Sequence, residues 1–160
     1  MTEIREIKEN EYEFLREMIY QAVYLPDENQ KLPKSVVFEP PFSKYVEDFG
    51  RRGDFAFVLI DGNDLVGAIW TRLFSEADKN YGFVDPETPE LSIAIKEDYR
   101  NQGFGNLLIA KLFERLKTSG FEKVSLSVDK RNRAVNLYRK VGFETVSEKG
   151  TAYAMLKRLT

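Results

Sequence analysis

A glycine-rich turn between an apolar strand-like run and an apolar helix-like run is the feature that most constrains this chain. The turn, Tyr99-Arg100-Asn101-Gln102-Gly103-Phe104-Gly105-Asn106, follows the apolar run 91–95 and precedes the apolar run 107–116. The first turn of a helix leaves backbone N–H groups unpaired, and the helix dipole adds partial positive charge at the same end. Two glycines keep Cβ atoms away from an approaching anion, and Arg100 adds a fork of donors. The pattern therefore indicates a phosphate site.

The spacing of the turn argues against the two commonest nucleotide sites. A P-loop needs Gly-Lys-Ser/Thr at the end of the turn, whereas Asn106 and Leu107 follow Gly105 here. A dinucleotide fingerprint needs a third glycine, and Leu108 occupies that position. From these residues alone, a tight turn without any ligand stays an equal alternative.

A second motif lies about thirty residues downstream, where a strand-like run at 124–128 leads into a short helix-like segment. That segment starts at Asn132, carries Leu137 and Tyr138, and ends at Gly142 and Phe143. Together with the Arg100-x-x-Gly103-x-Gly105 turn, it resembles the GNAT superfamily of acyl-CoA-dependent N-acetyltransferases. The two motifs occur in the order that the family uses, so the resemblance is specific and covers roughly the whole chain.

The resemblance implies a fold and a cosubstrate. The fold expected is α/β (α+β), with a mixed, mostly antiparallel central sheet, helices on both faces and splayed central strands. Acetyl-CoA is the implied acyl donor, and no metal is implied. In this family the glycine turn binds pyrophosphate, and main-chain groups of the preceding strand pair with pantetheine amides like an added strand. The residues implied to bind coenzyme A are Ile93, Ile95, Arg100, Asn101, Gln102, Gly103, Phe104, Gly105, Asn106 and Asn132.

The resemblance also implies two catalytic side chains, and each has an ordinary structural alternative. Tyr138 matches the tyrosine that protonates the departing thiolate, although an aromatic residue on an amphipathic helix is more often part of the core. Glu90 opens the strand before the turn and is the candidate base for the amine, although a glutamate at a strand start is usually solvated. Asn132 is also a good helix-capping residue in its own right.

Composition limits the remaining function classes. The chain has 160 residues, no cysteine, no histidine and a formal charge of −2. Without imidazole or thiol groups, a Ser/His/Asp or Cys/His hydrolase is excluded, and direct acyl transfer to an amine is the simpler chemistry. The length predicts one domain over 1–160, and the absence of a basic block or a long apolar run predicts no nucleic acid and no membrane partner. A charged N-terminus without cysteines favours a cytoplasmic protein.

Apolar periodicity and turn residues predict the order of elements. A first strand is expected at 3–7, followed by a helix capped by Asn10 and Glu13 whose apolar face includes Val23. A short helix at 43–49 precedes a hairpin of strands 54–60 and 65–74 and a polar loop at 75–89. The remaining elements expected are a strand at 90–95, a helix at 106–119, a strand at 123–128, a helix at 133–141, and strands at 143–148 and 152–159.

The sequence says less about which amine is bound than about how coenzyme A is bound. The expected partner is a small-molecule or peptide amine, entering beside the loop 75–89, and a homodimer is an open alternative for the assembly. Arg16, Tyr20 and Tyr24 border the acceptor side in the family, and Trp70 is either core or pocket wall. A noncatalytic acyl-CoA-binding sensor or docking module, in which Tyr138 is only packing, is the competing function.

Overall fold

Seven strands form one sheet in a computed structural model that describes residues 1–22 and 32–159. The order across the sheet is β1-β2-β3-β4-β5-β7-β6. The strands are β1 Thr2–Glu6, β2 Phe55–Asp61, β3 Asp64–Arg72, β4 Glu90–Ile95, β5 Lys123–Asp129, β6 Glu144–Lys149 and β7 Ala152–Arg158. Every neighbouring pair is antiparallel except β4 and β5, which are parallel. The expected mixed, mostly antiparallel sheet is therefore confirmed.

Helices cover both faces of this sheet. Helix α1 spans Glu13–Ala22, α2 spans Phe104–Thr118 and α3 spans Ala134–Lys140. One apolar cluster joins α2 and α3 to Leu91, Val124 and Leu126, and the other joins α1 to Val58 and Trp70. Successive strand residues point to opposite faces, so Ile69 enters the first cluster and Trp70 the second.

The two parallel strands diverge almost at once. Their only registered pair is Glu90 with Ser125, next to a hydrogen bond of 2.9 Å from Ser125 N to Pro89 O. Beyond that pair, β4 keeps its antiparallel ladder with β3 up to Ile95, while its other edge leaves β5. The result is a wedge between β4 and β5, which is the splay that the resemblance implies.

Some predicted local features are wrong. The predicted capping box of Asn10 and Glu13 does not form: Glu11 Oε1 instead accepts from Lys8 N at 2.8 Å, and Arg5 fixes the same carboxylate. The segment expected to be a helix at 43–49 contains only a 3₁₀ turn, Phe42–Tyr45. Helix α2 starts at Phe104, two residues earlier than predicted, because Gly103 serves as its N-cap. Val23, Tyr24 and Pro26 lie outside the described residues.

Candidate active site

The glycine turn is built around two residues in the left-handed region of backbone conformation. Asn101 has φ of 60° and Gly103 has φ of 88°, and Gly103 caps the N-terminus of α2. A Cβ atom added at Gly103 would meet nothing within 4 Å. Glycine is therefore required at Gly103 for its backbone angle, and the space beside it is open.

Unpaired amides converge on that open space. The first hydrogen bond of α2 runs from Leu107 N to Gly103 O at 3.4 Å, so the N–H groups of residues 104–106 precede the intrahelical ladder. Asn106 is exposed in this first turn, and Phe104 is half-buried. A Cβ atom at Gly105 would lie 3.3 Å from Leu137 Cδ2, so Gly105 lets the start of α2 pack closely against α3. The geometry suits a bound anion.

Two side chains predicted to bind coenzyme A make hydrogen bonds that fix the turn. Gln102 Nε2 donates to Asp98 O at 3.0 Å. Arg100 Nε donates to Ile95 O at 2.7 Å, and its exposed guanidinium lies 3.5 Å from Gln21 Oε1 through Nη2. Arg100 thus links the phosphate turn to the end of β4 while its charge stays at the surface.

The open edge of β4 presents main-chain groups to the wedge. Lys96 N donates to Val66 O on the β3 side at 2.8 Å. Because main-chain groups alternate along a strand, those of Ile93 and Ile95 point the opposite way, towards the wedge. Both side chains are only partly buried. An extended polyamide chain can pair with such an edge.

Helix α3 is defined at both ends by its sequence. Asn132 Oδ1 accepts from Ala134 N at 2.9 Å and so closes the turn that leads into α3, although the N-cap residue itself is Arg133. At the other end, Phe143 N donates to Tyr138 O at 2.9 Å and Gly142 has φ of 107°, a Schellman arrangement. These contacts at the two ends set the length and the facing of α3, and hence the position of Tyr138.

Tyr138 is a buried phenol with an unusually weak acidity. The residue is 8% exposed and its ring meets Phe143 edge-on at a centroid distance of 5.9 Å. Within the described part of the chain, the Tyr138 hydroxyl has no hydrogen-bond partner. It is not fully enclosed, because among the described residues Ser125 Oγ is the one side-chain polar atom that is both fully buried and unpaired. Burial raises the pKa of Tyr138 to about 12.

Glu90 is buried rather than solvated, which corrects the ordinary expectation for its position. It is 2% exposed. The Tyr45 hydroxyl donates to Glu90 Oε2 at 2.6 Å, and Gly82 N donates to Oε1 at 3.0 Å. Burial raises the pKa of Glu90 to about 7, against the smaller opposing effects of these two donors and of the Lys44 charge.

The loop 75–89 encloses Glu90, but its other carboxylates are neutralised. Glu90 has no ion-pair partner in residues 1–22 and 32–159. Each of the other four acidic side chains is paired, and the pairs are Glu76 with Lys79, Asp78 with Lys44, Asp85 with Lys123, and Glu87 with Arg52. The negative charge of this loop is therefore largely cancelled by neighbouring cations.

Three residues of this site carry no recognisable signal in the sequence. Tyr45 belongs to the 3₁₀ turn and is brought to Glu90 only by the fold. Gly82 has no left-handed φ, but a Cβ there would lie 2.7 Å from Leu126 C and 2.9 Å from Glu90 Cδ, so close approach to β5 requires glycine. Ser125 is an ordinary strand residue whose neighbour across the sheet is Glu90.

The other candidate residues have structural partners. Trp70 is core, and its Nε1 donates to Tyr45 O at 3.0 Å. Arg16 and Tyr20 on α1 donate to Val37 O and Leu32 O, respectively.

No group of three or more His, Cys, Asp or Glu side chains within 1–22 and 32–159 could hold a metal ion. In the same two ranges, no helix has the length and apolar character needed to cross a bilayer.

Known proteins share this sequence and this architecture. Over 96 residues, which are 59% of this chain and 58% of the relative, the chain is 34% identical to an alanine N-acetyltransferase for a ribosomal protein from Haemophilus influenzae. The fold matches the N-acetyltransferase PaiA of Thermoplasma acidophilum, solved with coenzyme A, at TM-score 0.72, 18% identity and 99% coverage of both chains. It also matches a ribosomal-protein alanine N-acetyltransferase of Escherichia coli at TM-score 0.68 and 18% identity, covering 100% of this chain and 95% of that one.

The match to the Haemophilus protein spans less than two thirds of that protein, and the two solved structures are distant enough in sequence to show the fold alone. The family model is broader: the acetyltransferase (GNAT) family matches residues 10–143, which include both motifs and Glu90. The chain therefore belongs to the GNAT acetyltransferase family, an acyltransferase class of enzymes, as its two motifs predict.

Proposed function

We propose that this chain transfers an acetyl group from acetyl-CoA to a primary amine, which attacks directly within a ternary complex. The observation that carries the proposal is the wedge between β4 and β5. Main-chain groups of β4 face it, with Ile95 O accepting from Arg100 Nε, an amide-lined helix start lies at one end, and Glu90 lies at the other. GNAT acetyltransferases use acetyl-CoA, and one structural neighbour was solved with coenzyme A.

The residues at the wedge fit the coenzyme. The open space beside Gly103 and the amides of residues 104–106 suit the pyrophosphate, with Arg100 adding charge at the surface. Main-chain groups of Ile93 and Ile95 suit the pantetheine amides. Asn101, Gln102, Phe104, Gly105, Asn106 and Asn132 shape this binding surface. The coenzyme, when bound, supplies the acetyl thioester.

Tyr138 and Glu90 would move the two protons of the reaction. The Tyr138 hydroxyl, protonated at every physiological pH, would donate its proton to the sulfur that leaves. Because its pKa of about 12 lies above the ~8.5 of a thiol, this transfer costs about 5 kcal/mol. The Glu90 carboxylate would receive the proton of the acceptor ammonium. With a pKa of about 7, Glu90 is ionised in a large fraction of molecules at neutral pH and is still basic enough to help.

The basicity of Glu90 favours a particular class of amine. Moving a proton from an alkylammonium of pKa ~10.4 to a carboxylate of pKa about 7 costs about 4.6 kcal/mol, whereas an α-ammonium of pKa ~7.8 costs about 1 kcal/mol. The cancelled charge of the loop 75–89 also gives a polycation little attraction. We therefore favour the α-amino group of a peptide, the type of acceptor that the name of the Haemophilus relative indicates for that protein.

A thiol-release assay tests the function and the acceptor class. Acetyl-CoA at saturating concentration would be incubated in an amine-free buffer with a short peptide starting with alanine, the same peptide with a blocked N-terminus and an internal lysine, and spermidine. We expect the free α-amine to give a kcat/KM at least about tenfold higher than the other two. Faster turnover of spermidine or of the lysine peptide would contradict the α-amine preference.

The thiol-release assay, combined with thermal melting in the presence of coenzyme A, separates an enzyme from a binding module. Coenzyme A that raises the melting temperature without thiol release from any amine would indicate a noncatalytic sensor or docking module. If neither thiol release nor a thermal shift occurs with millimolar coenzyme, the assignment of the wedge as a coenzyme site is wrong.

A further inference from the structure

Tyr45 and Gly82 supply the only two donors to the Glu90 carboxylate within residues 1–22 and 32–159. The Tyr45 hydroxyl lies 2.6 Å from Oε2, and Gly82 N lies 3.0 Å from Oε1, so each oxygen has one donor. We propose that Tyr45, together with the backbone N–H of Gly82, is a positioning residue that holds the Glu90 carboxylate ionised and in the orientation that receives a proton from the acceptor amine. The inference rests on the proposed function, because it assumes that Glu90 is the base.

The fold holds Tyr45 from several sides. Trp70 Nε1 donates to its carbonyl oxygen, and the Phe74 ring meets its ring edge-on at 5.7 Å. Arg72 donates to the carbonyl oxygens of the neighbouring Lys44 and Glu47. The hydroxyl is thus aimed at Glu90 by main-chain and core contacts, and little conformational freedom is lost when it donates.

Gly82, the second donor, is also held in place by close packing, in this case against β5. Its position against the Leu126–Ser127 peptide of β5 leaves no room for a side chain, since a Cβ would lie 2.9 Å from Ser127 N. This contact holds Gly82 N 3.0 Å from Glu90 Oε1. Two neutral donors on a carboxylate still leave lone pairs free, so Glu90 keeps the capacity to accept a proton.

The charged groups around Glu90 are already committed elsewhere. Arg72, its neighbour in the β3–β4 register, forms a buried two-point ion pair with Asp54, with distances of 3.1 and 2.7 Å. Lys44 pairs with Asp78 at 2.8 Å. Tyr81 is exposed, and its phenol affects the pKa of Tyr45 rather than that of Glu90. The hydrogen bonds to Glu90 therefore come from neutral donors rather than from a cation. Burial also raises the pKa of the Tyr45 phenol, so Tyr45 keeps the proton that it donates.

The test measures the pH dependence of kcat at saturating acetyl-CoA and peptide for the wild type, Glu90→Gln and Tyr45→Phe. Removing the hydroxyl takes one donor from the ionised carboxylate, so the acid limb of Tyr45→Phe should move upward by roughly one to two pH units. The plateau at high pH should also fall, because the carboxylate is still present but one of its oxygens is no longer held in place; this fall should be smaller than that in Glu90→Gln. Tyr99→Phe is the matched control. The Tyr99 hydroxyl also donates to a carboxylate at 2.6 Å, but that carboxylate is Asp61 and not Glu90.

Gly82→Ala is the second variant, because its Cβ must push the segment away from β5 and withdraw the other donor. Its acid limb should also move upward, and both variants are assayed below their melting temperatures. An upward shift in Tyr45→Phe and Gly82→Ala but not in Tyr99→Phe supports the inference. A lower melting temperature with an unmoved acid limb would show that Tyr45 only stabilises the fold and would overturn it. An acid limb that survives in Glu90→Gln would instead remove Glu90 from the mechanism, and the proposed base with it.

Discussion

Burial raises the pKa of both side chains proposed to move protons, but it leaves them in opposite ionisation states near neutral pH. Glu90, with a pKa of about 7, is then partly ionised and can accept a proton. Tyr138, with a pKa of about 12, is fully protonated and can donate one. A carboxyl and a phenol in equally dry surroundings thus form a complementary pair.

The role of Tyr138 can be separated from its packing with one substitution. Tyr138→Phe keeps the ring against Phe143 and removes only the hydroxyl, which has no partner in the described part of the chain. Stability should therefore change little, whereas loss of a positioned acid should lower kcat by a factor of about 10² to 10⁴. Steady-state rates and coenzyme affinity measure this. Wild-type turnover in the variant would leave Tyr138 as a core residue.

The burial of Glu90 also predicts how stability changes with pH. Its pKa in the folded chain, about 7, lies above the ordinary 4.5, so the folded state binds the proton more tightly than the unfolded state. The free energy of unfolding should then fall by up to about 3 kcal/mol as pH rises from ~5 to ~8, and stay level above. Glu11 and Asp129, whose pKa values are lowered to about 2, change the free energy of unfolding only at lower pH.

Urea unfolding of the wild type and of Glu90→Gln at several pH values measures this effect. The difference between the two proteins isolates Glu90, because every other titrating group is shared. A difference that does not vary between pH ~5 and ~8 would show that the pKa of Glu90 is not raised.

At the scale of elements, the strand, turn and helix proposed to bind coenzyme could be predicted because their signals are local. Two glycines, Arg100 and the flanking apolar runs define the turn without help from the rest of the chain. The surroundings of Glu90 could not be predicted, because Tyr45 and Gly82 reach it through tertiary contacts from a 3₁₀ turn and a loop. The residues that start the first helical segment differ from those predicted for a related reason, since Arg5 on β1 selects Glu11 through an ion pair.

Helix α2 provides a matched pair of glycines for testing the turn. Gly103 before it and Gly120 after it have φ of 88° and 87°, and a Cβ atom added to either glycine would meet nothing within 4 Å. Valine at either site should strain the backbone by at least ~1–2 kcal/mol and lower the melting temperature to a similar extent. Only Gly103→Val should also lose coenzyme binding, because only that Cβ would enter the anion site.

Thermal melting with and without coenzyme A measures both effects. Coenzyme at a hundredfold excess over its Kd should add about 2.7 kcal/mol and raise the melting temperature of the wild type by roughly 5–10 °C. The rise should persist in Gly120→Val and disappear in Gly103→Val. Equal rises in both variants would mean that the turn at Gly103 does not contact the phosphates.

On the scale of the whole molecule, the sheet separates the two proposed proton-transfer groups. Glu90 shares its face with Trp70 and the α1 side, whereas Tyr138 lies in the cluster of α2 and α3 on the other face. The wedge between β4 and β5 is the opening that joins these two faces. Its position depends on the order of all seven strands, which single-sequence patterns do not define and which the family resemblance supplies. A single domain over 1–160, a cytoplasmic location and a homodimer remain predictions.

This arrangement predicts a one-sided pH profile for the wild type. At saturating acetyl-CoA and peptide, kcat should rise as pH passes through about 7 and Glu90 becomes ionised. It should then stay level to about pH 10, because Tyr138, with a pKa of about 12, keeps its proton over that range. Titration of the free acceptor amine affects kcat/KM rather than this plateau. Tyr138→Phe should lower the plateau without moving the acid limb, and Glu90→Gln should remove the limb. A basic limb between pH ~8 and ~10 that disappears in Tyr138→Phe would show that Tyr138 is far more acidic in the complex than its burial indicates.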